Sequence, residues 1–284
     1  TAAGVFTTNL VKAAPVQICV KRISAGKCRA ILMNSGNANA CTGEAGMKVT
    51  LDLTRELSET LDIDPEQVFP MSTGVIGNPL PADRICSQFP ALKAGLAGDR
   101  APDVARAIMT TDTKPKTVML TGTHSRGTLR MLGIAKGSGM IAPDMATMLA
   151  VVLTDVKVDR LFLHDCLLSA CRNSFNCITI DGDTSTNDTV IMMAGGHAEA
   201  QQLSDLAEDR EVFASVLQQV CASLARQMVF DGEGATKLVE IIVSGAPDKR
   251  AANKVARTIA ESPLVKTAFN GGDPNWGRIV AAAG

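Results

Sequence analysis

One short stretch of the chain combines residues that could support self-cleavage and acyl transfer. A Gly- and Pro-containing loop runs from Lys136 to Ala146, and Thr147 then opens the apolar run 147–154. A threonine hydroxyl is a weak nucleophile that needs a base within reach. If the bond before Thr147 is cut, its new α-amine becomes a usable base near neutral pH. The stretch thus predicts a nucleophile at Thr147, although an Ala-Thr pair before an apolar strand is more commonly a plain loop-to-strand junction.

No other local motif predicts a catalytic or metal centre. The sequence lacks the GxxxxGK[ST] phosphate loop, the GxSxG nucleophile elbow and the HExxH zinc motif. The acidic loop 181–188 resembles a calcium loop in composition, but Met192 occupies the twelfth position, where an EF-hand needs glutamate. The eight cysteines form no CxxC pair and the three histidines are scattered, so no metal site is expected. Loop 181–188 is either a capped polar loop or part of the lining of a polar site.

The elements that must position Thr147 read as helices packed on sheets. Alternating residues in 118–120 and 128–134 predict a β-hairpin that turns at 124–127. The apolar run 147–154 is typical of a strand buried on both faces. Amphipathic helices beside such strands indicate an α/β fold, a layered helix–sheet sandwich. The other expected elements are helices at 43–61 (capped by Thr42), 82–97, 102–109, 158–173, 210–229 and 249–261, strands at 17–20, 29–33, 240–244 and 279–283, and loops at 34–43, 70–77, 136–144 and 269–278.

Composition argues against several classes of partner. The 284 residues are 46% hydrophobic and 20% charged, and the net charge of -1 provides no field for nucleic acid or an anionic membrane. With no Tyr and one Trp, the chain has few platforms for stacking bases. No apolar run approaches the roughly 20 residues of a membrane span. We expect no nucleic acid and no membrane as partners. Because the cysteines lie in apolar stretches, we expect the protein in the reducing cytoplasm. Whether a leader is removed before Thr1 is left open by the sequence.

Nine segments in a fixed order resemble the ornithine acetyltransferase family, also called bifunctional glutamate N-acetyltransferases of arginine biosynthesis. Together they extend over essentially the whole chain, which makes them far more specific than any single motif. The segments are AAGVFTTN (2–9), AAPV (13–16), NSGNANACTG (34–43), STGVIG (72–77), RAIMTTDTKPK (106–116), AKGSGMIAPDMATML (135–149), NSFNCITIDGDTSTNDT (173–189), DGEGATK (231–237) and SPLVKTAFNGGDPNWGRI (262–279).

The resemblance implies a self-cleaving enzyme with a threonine nucleophile. Cleavage between Ala146 and Thr147 would give an α chain (1–146) and a β chain (147–284), with two of each in the assembly. Family segments before residue 2, and two further substrate contacts after Gly284, are expected outside this sequence. The implied oxyanion hole is Thr73 with Gly74, and the implied substrate contacts are Thr110, Lys136, Thr147 and Glu233.

The implied reaction moves an acetyl group from N-acetylornithine to glutamate through acetyl-Thr147 and releases ornithine. No cofactor is expected, and acetyl-CoA is a second candidate donor. Lys136 and Glu233 suit a zwitterionic amino acid, because they offer an ammonium to a carboxylate and a carboxylate to an amine. Two alternatives remain open: an aminopeptidase or amidase on a similar scaffold, in which water deacylates the enzyme, and an inactive relative that binds amino acids.

Overall fold

The computed structural model describes residues 1–141, 148–195 and 202–284. Ala146 and Thr147, where the predicted cleavage site and nucleophile fall, lie outside the described residues. Within those ranges, no helix has the length and apolar character needed to cross a bilayer. The strands are β1 (Ala2–Phe6), β2 (Ala30–Asn34), β3 (Val68–Ser72), β4 (Lys116–His124), β5 (Gly127–Lys136), β6 (Leu149–Thr154) and β7 (Thr189–Ala194). The helices are α1 (Ala14–Arg22), α2 (Gly43–Leu61), α3 (Ala82–Cys86), α4 (Phe89–Ala94), α5 (Ala101–Ala107), α6 (Arg160–Arg172), α7 (Ala207–Phe230), α8 (Lys249–Glu261), α9 (Pro263–Gly271) and α10 (Trp276–Ala283).

Five strands form one mixed sheet in the order β1-β7-β6-β5-β4. The β6–β7 pair is parallel and the other pairs are antiparallel. Lys136 pairs with Leu149, Leu149 with Thr189, and Thr189 with Phe6. These residues therefore form a row across one end of the sheet, where β5 ends and β6 and β7 begin.

One face of this sheet is covered by α6 and α7. Val152 of β6 and Met192 of β7 belong to the same buried cluster as Leu163 of α6 and Phe213 of α7. The cluster is apolar throughout, so its burial supplies the main hydrophobic stabilisation of this half of the molecule.

The opposite face packs on a second, two-stranded parallel sheet formed by β2 and β3. Val151 of β6 shares a buried cluster with Phe69 of β3 and Cys19 of α1. Beyond β3, Leu53 of α2 packs with Val68. The order of helices, sheet, sheet and helix confirms the expected α/β layered sandwich. It also confirms that β6, which falls in the predicted apolar run 147–154, is buried on both faces.

Predictions from local periodicity are confirmed for several elements. Helices α2 and α8 have the predicted bounds, and β4 and β5 form the predicted hairpin. Thr42 occupies the predicted N-cap position of α2, but its side chain accepts no hydrogen bond from the first turn, and its hydroxyl donates to Asn39 Oδ1 at 2.7 Å.

Two errors come from prolines that open helices. Residues 17–20 belong to α1 and not to a strand, since Pro15 lies in its first turn, where a proline is favourable. The single helix predicted for 82–97 is two short helices, α3 and α4. Pro90 suits the first turn of α4 but would break the interior of a longer helix.

Three further errors concern strands. Residues 240–244 are not a strand, and Ile242 is 82% exposed. Residues 279–283 belong to α10, whose alanines favour helix and whose first turn is capped by Asn275, accepting from the Arg278 N–H at 3.2 Å. The loop predicted for 70–77 begins later, because β3 continues through Ser72.

Candidate active site

Three residues predicted to line the site meet at the end of the five-stranded sheet. Lys136 is the last residue of β5, Thr73 follows β3, and Thr110 lies in the loop before β4. The Lys136 Nζ donates to Thr110 Oγ1 at 2.7 Å and to Thr73 Oγ1 at 3.2 Å. Because an ammonium has only donors, Thr73 Oγ1 is the acceptor and keeps its own proton for another partner. The structure thus joins residues that the sequence separates widely.

The loop after Thr73 requires glycine at position 74. Gly74 has a φ of +133°, and a Cβ there would lie 2.2 Å from the carbonyl carbon of Gly36. Val75 N–H donates to the Gly36 carbonyl at 3.3 Å, and Thr73 N–H to the Asn34 carbonyl at 3.1 Å. The loop is therefore fastened tightly to the segment after β2. Thr73 is buried, whereas the neighbouring Gly74 is exposed.

Glu233 approaches the same site from the loop after α7. Its N–H donates to the Ser138 carbonyl at 2.8 Å. A Cβ on Gly139 would lie 2.6 Å from Glu233 Oε1, so the carboxylate rests against this glycine. The Ser138 hydroxyl is 2.7 Å from that of Thr111. The site therefore combines a buried ammonium, on Lys136, with an exposed carboxylate, on Glu233.

A chain of buried charges supports Lys136 from behind. Lys136 Nζ lies 3.8 Å from Asp112 Oδ2, Lys116 Nζ lies 2.6 Å from Asp112 Oδ1, and the same Nζ lies 2.6 Å from Asp231 Oδ2. Burial lowers the pKa of Lys136, and Asp112 opposes that effect. Burial alone would raise the pKa of Asp112, but hydrogen bonds from Lys116 and the Gly137 N–H outweigh it and lower the pKa.

Sequence reasoning missed this group of charges. Neither the motifs nor the charge pattern assigns a function to Asp112, Lys116 or Asp231. One signal was available, since Lys116 follows Asp112 by four residues within TTDTKPK.

The acidic loop 181–188 holds the residues on either side of 142–147. Ile141 N–H donates to Asp181 Oδ1 at 2.8 Å, and Met148 N–H donates to Asp188 Oδ1 at 2.9 Å. Asp188 is fully buried, and its Oδ2 has no hydrogen-bond partner in the part of the chain that the structure describes. Burial raises the pKa of the Asp188 carboxyl well above its ordinary value. The loop therefore supports the surroundings of a polar site, one of the two interpretations left open by the sequence.

The described residues contain no group of three or more His, Cys, Asp or Glu side chains that could hold a metal ion. The eight cysteines are free thiols. The polar groups that meet at the end of the sheet are hydroxyls, backbone groups and paired charges.

The chain is similar to known proteins along its whole length. The ArgJ family model matches residues 1–284. The arginine biosynthesis bifunctional protein ArgJ of Syntrophotalea carbinolica is 50% identical over 283 residues, which cover 99% of this chain and 72% of that protein. The protein of the same name from Geobacter sulfurreducens is 51% identical over 282 residues, again covering 99% and 72%. The solved structure of ornithine acetyltransferase complexed with ornithine from Mycobacterium tuberculosis has 37% identity and a TM-score of 0.47, over 50% of this chain and 76% of that one.

Proposed function

The chain belongs to the ArgJ family, and we propose that it is the acetyltransferase of arginine biosynthesis that moves the acetyl group of N-acetylornithine to glutamate. The observation that carries the proposal is the meeting of Lys136 with Thr73 and Thr110 at the end of the sheet. These are the positions at which the family resemblance puts the substrate contacts and the oxyanion hole.

The proposed reaction has two acyl-transfer steps. Thr147 Oγ attacks the acetyl carbonyl, and the freed α-amine of Thr147 takes the hydroxyl proton. The tetrahedral intermediate collapses, the bond to the ornithine nitrogen breaks, and that nitrogen receives the proton. The amine of glutamate then attacks acetyl-Thr147, its proton passes through the α-amine to the departing Thr147 Oγ, the ester C–O bond breaks, and N-acetylglutamate leaves with the threonine regenerated. The role of Thr147 as nucleophile is inferred from the sequence, because this residue lies outside the described ranges.

The oxyanion of both intermediates needs preorganised donors. Thr73 suits this function because its hydroxyl accepts from Lys136 and is left with a proton to donate. The nearby positive charge also makes that hydroxyl a better donor. Gly74 supplies the neighbouring N–H in a backbone conformation that the contact with Gly36 enforces.

The substrate is proposed to bind through both of its charges. Lys136 offers its ammonium to the carboxylate of the amino acid, and Glu233 offers a carboxylate to an ammonium group. Donor and acceptor amino acids take turns in one site, so the kinetics are expected to be ping-pong.

The proposal extends to processing and to donors. Cleavage yields an α chain that ends at Ala146 and a β chain that begins at Thr147, and these assemble as two of each in the cytoplasm, where free thiols persist. No cofactor is required, since Thr147 itself carries the acetyl group. Acetyl-CoA is a second donor, in keeping with the word bifunctional in the names of the relatives.

Mass spectrometry tests the intermediate directly. After incubation with N-acetylornithine, the β chain should carry one acetyl group, and addition of glutamate should remove it. The Thr147→Ala variant should show one uncut band on a denaturing gel and no adduct. Thr60→Ala, which removes a surface hydroxyl on α2, serves as the matched control and should behave as wild type. Absence of the adduct, or an adduct that survives Thr147→Ala, contradicts the mechanism. Deacylation by water as fast as by glutamate would favour an amidase.

A further inference from the structure

Asp112 connects several parts of the candidate site, although neither the motifs nor the family resemblance gives it a function. Its Oδ1 accepts from the Gly137 N–H at 2.7 Å, next to Lys136. Its Oδ2 accepts from the Thr110 N–H at 3.1 Å. One carboxylate therefore fixes the backbone beside two of the proposed substrate contacts.

The same carboxylate is the charge partner of Lys136. In the described part of the chain, Asp112 is the one carboxylate that forms an ion pair with Lys136, and its Oδ2 lies 3.8 Å from the Lys136 Nζ. The Asp112 side chain is 0% exposed and that of Lys136 is 3% exposed, so water cannot compensate either charge. A buried ammonium is stable only when it is paired, because its desolvation is costly.

Asp112 is shared between Lys136 and Lys116, whose Nζ lies 2.6 Å from its Oδ1. Lys116 has a second carboxylate, Asp231, at 2.6 Å, and this pair ties the end of α7 to the first residue of β4. Asp231 also accepts from the Thr113 N–H at 3.0 Å. If Asp112 loses its charge, Lys116 keeps Asp231 but Lys136 keeps no carboxylate in contact.

We propose that Asp112 is a positioning residue for the acetyl transfer, which holds the Lys136 ammonium, in its charged form, between the hydroxyls of Thr73 and Thr110. The inference rests on the proposed function. Asp112 contacts no substrate. It acts through Lys136, and therefore both on substrate binding and on the donor strength of Thr73.

The protonation of Lys136 is the measurable consequence. The charged groups that act on it are Asp112 and Glu233, which favour the ammonium, and Lys116, which disfavours it. The buried Asp188 also feels the Lys136 charge. Loss of the Asp112 charge leaves the burial of Lys136 less opposed, so its proton should be lost at lower pH.

The experiment compares the full-length enzyme with Asp112→Asn in N-acetylornithine-to-glutamate transfer from pH 6 to 10. We expect KM for N-acetylornithine to rise roughly tenfold or more, as for a lost contact to a charged group. The alkaline limb of kcat/KM should move to lower pH, because the charge that opposes the burial of Lys136 is gone. In a Lys136→Met background the Asp112 substitution should add little, because the two residues act as one unit.

Two further variants separate positioning from stability. Asp209→Asn removes another buried carboxylate, which accepts from Ser125 and Ser204 at the far end of the β4–β5 hairpin. It should lower the melting temperature without changing KM or the pH profile. Lys116→Met removes the charge that disfavours the Lys136 ammonium, so the alkaline limb of kcat/KM in this variant should move to higher pH. This variant provides the test if Asp112→Asn does not fold.

If Asp112→Asn is less stable but keeps the wild-type KM and pH profile, Asp112 has a structural function only, and the proposal is overturned. An equal additional loss in the Lys136→Met background, or an unmoved limb in Lys116→Met, would overturn it too. Failure of the proposed function is seen separately, because the wild-type enzyme would then transfer no acetyl group.

Discussion

Replacing Gly74 by alanine should disable catalysis through a contact between two backbone segments. A Cβ at this position would lie 2.2 Å from the Gly36 carbonyl carbon and 2.5 Å from the Asn37 nitrogen. Neither atom belongs to a flexible side chain, so neither can turn aside. Gly77 in the same loop provides the matched control, since it also has positive φ, +88°, but a Cβ there would meet nothing within 4 Å.

The magnitude follows from the distances. The added Cβ and the Gly36 carbon must move apart by about 0.8 Å, from 2.2 to at least 3.0 Å. Both substitutions place alanine at positive φ and should cost roughly 1–3 kcal/mol of stability from backbone strain. Only Gly74→Ala shifts the loop that carries the Thr73 hydroxyl and the Gly74 N–H. A displacement of nearly 1 Å in a catalytic constellation costs on the order of 100-fold in rate.

The assay is steady-state acetyl transfer from N-acetylornithine to glutamate, with the melting temperature measured in parallel. We expect kcat to fall about 100-fold in Gly74→Ala and to stay within a few-fold of wild type in Gly77→Ala. Equal kcat values in the two variants would refute the reasoning, because the strain that they share would then explain every effect.

Three other predictions concern charge and packing. Glu233→Gln should raise KM for N-acetylornithine roughly tenfold with an unchanged melting temperature, since the side chain is exposed; unchanged KM would remove Glu233 from the site. Because burial raises the folded-state pKa of Asp188, its protonation favours the folded state at low pH, and this contribution is lost as pH rises from about 4 through the raised pKa. Asp188→Asn should therefore show a smaller fall in melting temperature between pH 5 and 8 than wild type, and an identical fall would contradict it. Phe213→Ala empties a fully buried position between α7 and the sheet and should cost about 3–5 kcal/mol in chemical denaturation, whereas a cost below about 1 kcal/mol would be inconsistent with the packing described.

Local pattern was sufficient wherever an element depends on its own residues. Helices α2 and α8 and the β4–β5 hairpin follow from periodicity, because amphipathic spacing records which side faces a core. The ordered family segments likewise identify Thr73, Gly74 and Lys136 as candidates, since they fall in long matches and not in isolated motifs.

Long-range pairing required the tertiary structure. Strands β1 and β7 were missed because their pairing joins distant residues, such as Ala2 and Met193, which are 191 residues apart, and because β7 also depends on its parallel neighbour β6. The strand predicted at 240–244 fails for the complementary reason: apolar, β-branched residues do not make a strand without a neighbour.

The sequence by itself determined the helix periodicities, the central buried strand and the identities of most candidate site residues. Only the tertiary structure decided that Lys136 meets Thr73, 63 residues earlier, and that Asp112 and Asp231 complete a buried chain of charges. The reason is physical. Periodicity reports the burial of one element, whereas hydrogen bonds and ion pairs act over about 3 Å and depend on which elements the fold brings together.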